Sequence, residues 1–196
     1  MSESKVPSED HSNMQIIRSQ IYSDLINTLF DRPIMGNLYR PHYVERMVAL
    51  GLGNGFKLMS ADWSGWDLEY RDGARIEVKQ SAARQTWTDQ SSFAGRPTVG
   101  SFDIAPRTGF WADGASKWIE KPGRLADVYI FAWHPVTDPD VADHRDPSQW
   151  VFFVVPTCEL PTGQKTISRT VVEKTWKPVL FEQLREATLA AVHPDK

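Results

Sequence analysis

Between Trp66 and Ser81 the chain alternates apolar and charged residues with a period of two. Trp66, Leu68 and Tyr70 are separated by Asp67, Glu69 and Arg71. After Asp72-Gly73 the alternation resumes, with Ala74, Ile76 and Val78 between Arg75, Glu77 and Lys79. Side chains change face at each residue of a strand, so the pattern predicts two strands joined by a tight turn. Loop length decides which residues meet. A two-residue loop places Asp67 opposite Val78 and mixes charged with apolar residues on both faces. A three-residue loop, Arg71-Asp72-Gly73, places Asp67 opposite Glu77 and Glu69 opposite Arg75. It also pairs Trp66 with Val78, Leu68 with Ile76 and Tyr70 with Ala74. One face is then apolar and the other charged, so the three-residue register is expected, with Gly73 at the closing bulge.

Around this hairpin the pattern is mainly helical at the ends and strand-like in the middle. Residues 1–12 are polar and aperiodic, which reads as a disordered tail ahead of one domain over 13–196. From about Asn13, Ile16, Ile17, Ile21, Leu25, Ile26 and Leu29 recur at helical spacing, until Asp31-Arg32-Pro33 ends the segment. A second helix is expected from Arg40-Pro41, with Val44, Met47, Val48 and Leu50 as its apolar stripe and Gly51 and Gly53 at its end. A strand from Phe56 to Ser60 should follow. Ala126–Trp133 and Trp150–Val155 are near-continuous apolar runs, expected as central strands buried on both faces. The segment between them, His134–Gln149, holds four aspartates and two histidines. Without the glycine and terminal glutamate of a calcium loop, it reads as an exposed acidic hairpin loop. Thr166–Val172 suggests an edge strand. A last helix is expected from about Val179 to Val192, with Leu180, Leu184, Leu189 and Val192 facing inward.

Composition narrows the class. The chain has 196 residues, 41% of them hydrophobic and 24% charged, as in an ordinary globular domain. A net charge of −3 is not that of a generally basic nucleic-acid binder, yet a cleft needs only local positive charge. Cys158 is the single cysteine, so no intrachain disulfide can form, which fits a reducing cytoplasm. No apolar run approaches the ~18 residues of a membrane span, and no signal-peptide pattern is present. Gly51-Leu52-Gly53-Asn54-Gly55 is not a nucleotide loop, because a helix precedes it and a strand follows.

The chemistry concentrates on the charged face of the hairpin. Opposed carboxylates at Asp67 and Glu77 repel unless a cation lies between them. Hard oxygen ligands suit Mg²⁺ or Mn²⁺. Lys79 lies on the same face and could hold an attacking water or stabilise a pentacovalent phosphate. Asp62 is a weaker rival for the first acid. An acid, a short hairpin and then Glu-x-Lys resembles the PD-(D/E)xK nuclease superfamily. Asp67 stands at the first acid, Glu77 at the second and Lys79 at the lysine. Trp66 replaces the proline common before the first acid.

That resemblance implies an α/β fold with a restriction-endonuclease-like core, a central mixed sheet flanked by helices. It implies Mg²⁺-dependent hydrolysis of phosphodiester bonds in DNA, by an endonuclease of restriction or repair type, often as a homodimer. Glu45, on the helix before the hairpin, would complete the metal site with Asp67, Glu77 and the Val78 carbonyl. Gln80 and Arg84, after the lysine, would face the substrate. The segment Asp89–Gly123 interleaves aromatic residues with Arg96, Arg107 and Lys117, a pattern suited to stacking on bases and gripping phosphates. The other reading is a nuclease-like fold that binds nucleic acid or protein without cutting.

Overall fold

The computed structural model describes residues 8–59, 64–88, 98–112 and 116–194. Helix α1 (Ser8–Phe30) begins within the stretch expected to be a tail and ends before Pro33 as anticipated. Helix α2 (Arg40–Leu52) has proline in its first turn and Gly53 at its C-cap, and buries Val44, Met47, Val48 and Leu52. Leu50 is exposed instead, so the inward stripe continues through Leu52.

Strands β1 (Phe56–Leu58), β2 (Leu68–Tyr70) and β3 (Arg75–Ala82) form an antiparallel meander. Its hairpin has the three-residue register: Leu68 pairs with Ile76 and Glu69 with Arg75. Gly73 takes a φ of 90°, which a residue with a Cβ adopts only under strain, and so closes the turn. The expected pairing of Trp66 with Val78 does not form. Trp66 precedes β2, packs against Phe110 at 5.2 Å between ring centroids and lies under the Arg75 guanidinium at 4.5 Å. A wide indole gains more contact there than at the end of a short strand.

Beyond the hairpin come β4 (Ser101–Asp103), β5 (Arg107–Ala112), β6 (Lys117–Gly123), β7 (Val128–His134), β8 (Val151–Pro156) and β9 (Thr166–Ser168). The main sheet has the order β1-β2-β3-β7-β8. Only β3 and β7 run parallel within it, so it is mixed. Every residue of β7 is buried, as its continuous apolar run predicts. One face of the sheet packs Ile76, Val78, Ile130 and Phe152 against α2 and α4 (Leu184–Val192). The other packs Phe131, Trp133, Phe153 and Val155 against Phe102, Ile104 and Ile167 of the β4–β9 pair and its flanks. The edge strand expected to run to Val172 stops at Ser168. The Ser168 hydroxyl accepts the Val171 N–H and starts α3 (Arg169–Thr175). Leu180 is exposed, while Leu184 is fully buried.

Strands β5 and β6 form a separate two-stranded ribbon. Gly109 allows its strands to close: a Cβ there would lie 2.3 Å from the Ile119 carbonyl oxygen and 2.7 Å from the Trp118 ring. Phe110 ties the ribbon to Trp66, and Trp111 and Trp118 meet edge to face at 5.5 Å.

The β7–β8 connection is not an exposed acidic loop throughout. His134 and His144 are fully buried and meet edge to face at 4.8 Å, with Trp150 against both. The Met35 N–H donates to His144 Nδ1, and the Trp150 indole donates to the His144 carbonyl. Acids at the loop surface are neutralised locally, as where Arg145 bridges Asp143 and Asp31. Burial, the nearby Arg40 charge and His134 push the His144 imidazole down to about 3. A base whose pKa is depressed on folding stabilises the fold above its unfolded value, and that stability is lost as pH falls. Lowering the pH from 6.5 to 4 should therefore cost up to about 1.4 kcal/mol per pH unit through this group. His144→Asn keeps an acceptor for the Met35 N–H and cannot take a proton. Urea unfolding of the two proteins across this range should show a shallower acid slope for the variant.

Candidate active site on the hairpin

The site grows from the register of three neighbouring strands. The β2–β3 hairpin brings Asp67, just before β2, alongside Glu77. The Asp67 N–H donates to the Ile76 carbonyl, and the Asp67 carboxylate accepts the Val78 N–H at 2.7 Å. A side chain thus takes a backbone donor at the end of the ladder, which fixes the carboxylate beside β3. Parallel pairing sets Glu77 next to Tyr129 and Lys79 next to Phe131. Glu77 and Lys79 share one face of β3, while Val78 points into the core below α2.

Glu77 is 3% exposed, and its Oε1 accepts both the Lys79 ammonium and, at 3.1 Å, Arg107 Nη2. Arg107 comes from the base of the β5–β6 ribbon, so two separate elements deliver cations to one buried carboxylate. Burial alone would lower the Arg107 pKa, but Glu77 and Asp67 more than offset it and hold the guanidinium above its usual value. Asp103, Ala105, Pro106 and Tyr129 complete a cleft of about 120 Å³ with Glu77, Lys79 and Arg107. Burial and Glu77 raise the Tyr129 phenol to about 12, so it remains a donor at neutral pH. Nothing in the local sequence pattern marked Tyr129, and Asp103 stood there as an acid without a place; the β3–β7 pairing brings in the one and strand β4 the other.

Glu45 joins the same electrostatic cluster from α2. Burial first, then the charge of Glu77, raises its carboxyl to about 7 against the opposing pull of Lys79. The Asp67 carboxyl is also raised to about 7, by burial and by repulsion from Glu77 and Glu45, with Lys79 and the Val78 N–H acting the other way. Three acids and one lysine therefore feel one another, Asp67, Glu77 and Lys79 from the hairpin and Glu45 from α2. Among the described residues, no three His, Cys, Asp or Glu groups already surround a point that could hold a metal ion. Glu77 instead turns to Lys79 and Arg107. The donor set still suits a hard divalent cation: the oxygens are carboxylate oxygens, and their mutual repulsion is what such a cation offsets.

The other expected substrate contacts divide. Arg107 is at the cleft. Lys117 is exposed and pairs with Ala112, at the opposite end of the ribbon from Arg107. Gln80 accepts Arg40 Nε at 2.6 Å and lies on the face of β3 away from Lys79, so it does not orient a water there. Arg84 is 7% exposed and donates to the Thr137 carbonyl, so it is not presented to a phosphate in solvent. Arg96 and Asp62 lie outside the described residues.

A buried acid whose pKa is raised on folding stabilises the protein at low pH, and that stability is lost as pH rises through the folded value. Above pH 7 Asp67 should thus be a liability to the fold. Asp67→Asn keeps an acceptor for the Val78 N–H without the charge. In thermal melts at pH 8 the variant should be the more stable by roughly 2 kcal/mol, less than the full shift implies because the cleft opens to water. The difference should shrink towards pH 4.

No protein-family model matches the chain, and no curated protein matches it in sequence. Among solved structures, it has a likeness to the bacterial homing endonuclease I-Ssp6803I, with 15% sequence identity and a TM-score of 0.35. The superposition covers 81% of this chain and 91% of that one. At that score the likeness fixes neither the fold family nor the activity of this chain. Among the described residues no helix is long and apolar enough to cross a membrane.

Proposed function

We propose that the chain hydrolyses phosphodiester bonds of DNA in a Mg²⁺- or Mn²⁺-dependent reaction at the β2–β3 hairpin. The observation that carries this reading is the coupling of Asp67, Glu45, Glu77 and Lys79 in one half-buried cluster, with two of the acids raised to about 7. Asp67 and Glu77, with Glu45 and the Val78 carbonyl, are the groups that would hold the ion. When bound, the ion would supply Lewis acidity and make a coordinated water more acidic.

The remaining roles belong to the chain. Lys79, as its ammonium, would hold the attacking water beside Glu77 and stabilise the hydroxide that forms, a carboxylate of the cluster taking the proton. Arg107 and the protonated Tyr129 would donate to phosphate oxygens, where negative charge grows in the transition state. Asp103 would steer the phosphate's position by repulsion at the cleft's far wall. Lys117 and Lys121, with the half-exposed Trp111 and Trp118, give the ribbon a surface on which phosphates and bases could rest. A two-stranded ribbon is also narrow enough to enter the major groove of a duplex.

One observation favours a second reading. The double clamp of Lys79 and Arg107 on Glu77 already neutralises that acid, as it would in a site that binds without cutting. Supercoiled plasmid separates the two. Incubation with Mg²⁺ or Mn²⁺ should produce nicked or linear DNA, and EDTA should abolish it. Lys79→Ala should slow cleavage by about 10²–10⁴-fold. Salt-sensitive retention of DNA with no cleavage would support the binding module instead, and cleavage that survives Lys79→Ala would remove the proposed role of the lysine.

A further inference from the structure

Two cations meet on one oxygen of Glu77, and they are held there differently. Lys79 is fixed by its place on β3, two residues along the same strand. Arg107 has more freedom. It opens β5 on the separate ribbon, beside the register shift between Arg107 and Gly109, where the ladder is interrupted. Its side chain is 47% exposed, against 3% for the glutamate it touches. Among the described residues, Glu77 is its one hydrogen-bond partner. Arg40, by contrast, reaches Gln80, Gln85 and Asn37, and Arg124 donates to the carbonyls of Ile104, Pro161 and Gln164. A guanidinium carries five N–H donors, so most of those on Arg107 are unspent.

This contact opposes the use of Glu77 as a metal ligand. A dication brought to that carboxylate meets a guanidinium already bonded to it, and like charges at such range in a half-buried cleft are poorly screened. A phosphate removes the conflict. It accepts the planar guanidinium through two parallel bonds, which the single bond to Glu77 does not match.

We propose that Arg107 is an exchangeable counter-ion, which holds the Glu77 carboxylate in the free chain, passes to a phosphate when DNA binds, and so couples the binding of metal ion and DNA. This rests on the metal-site reading of the hairpin and adds an order of events to it. The free chain holds the ion weakly, and the DNA-bound chain holds it tightly. Such coupling is reciprocal, so the ion strengthens DNA binding by the same factor. The clamp on Glu77 is then the resting state of a cutting site.

Substitutions at Arg107 in the full chain test the exchange. In calorimetric titration with Mn²⁺ alone, Arg107→Gln should bind the ion about tenfold more tightly than the parent. Arg107→Lys keeps the charge and should stay near the parent. Glu77→Gln should lose the site, which assigns the ion to the hairpin, and thermal melts should confirm that each variant folds. DNA binding is read by anisotropy of a labelled duplex in a Lys79→Ala background, where cutting is slow. Adding Mn²⁺ at constant ionic strength should raise DNA affinity about tenfold, and Arg107→Gln should abolish that rise. Equal or weaker Mn²⁺ binding by Arg107→Gln, an Arg107→Lys variant that gains as much, or a rise in DNA affinity that survives Arg107→Gln would overturn the exchange and leave the metal site standing. No Mn²⁺ effect in either measurement, in any of these chains, would remove the metal-site reading and the exchange together.

Discussion

The site depends on one electrostatic tension: carboxylates that repel one another are held together by backbone register. Asp67 cannot leave, because its carboxylate is bonded to the Val78 N–H. Glu77 is almost wholly buried, with the Lys79 ammonium and the Arg107 guanidinium both held on its carboxylate. The folding free energy of the hydrophobic core offsets the cost of gathering these groups. Lys79 and Arg107 relieve part of the repulsion at Glu77. Asp67 and Glu45 retain a high proton affinity, first because they are buried and then because the neighbouring acids repel their charge.

The two faces of the sheet divide the labour. One is sealed by α2 and α4 over Ile76, Val78, Ile130 and Phe152, and makes a continuous apolar core. The other is covered by short strands and loops, and it leaves the cleft at Glu77 and Lys79 beside Tyr129. A helix over this second face would have closed the cleft. The ribbon supplies Arg107 from its base and leaves its two tryptophans partly in solvent.

Much of this was legible in the sequence because it depends on local pattern. The hairpin register followed from segregating charged from apolar residues, and the buried strand β7 followed from an unbroken apolar run. What was not legible depends on contacts between distant segments. The apolar spacing of α1 predicted a helix, but periodicity does not reveal what its apolar residues meet. Gln80 and Arg84 looked available for substrate because polarity does not reveal partners, and in the structure Arg40 and the Thr137 carbonyl hold them. The histidines in the β7–β8 connection were hidden by the aspartates around them. Tyr129 sat inside an apolar run and gave no sign of its place beside Glu77.

Arg40 has a consequence for motion. It is 1% exposed and reaches Gln80 and Gln85, with Asn37 on its third nitrogen. It therefore rivets the first turn of α2, the helix that carries Glu45, to the far end of β3, the strand that carries Glu77 and Lys79. Two rigid bodies joined at that point cannot slide past one another. The bridge restrains α2 against sliding along β3. The helix carrying Glu45 and the strand carrying Glu77 thus move as one piece, and Arg107, on the separate β5–β6 ribbon, is a cleft group that lies outside it.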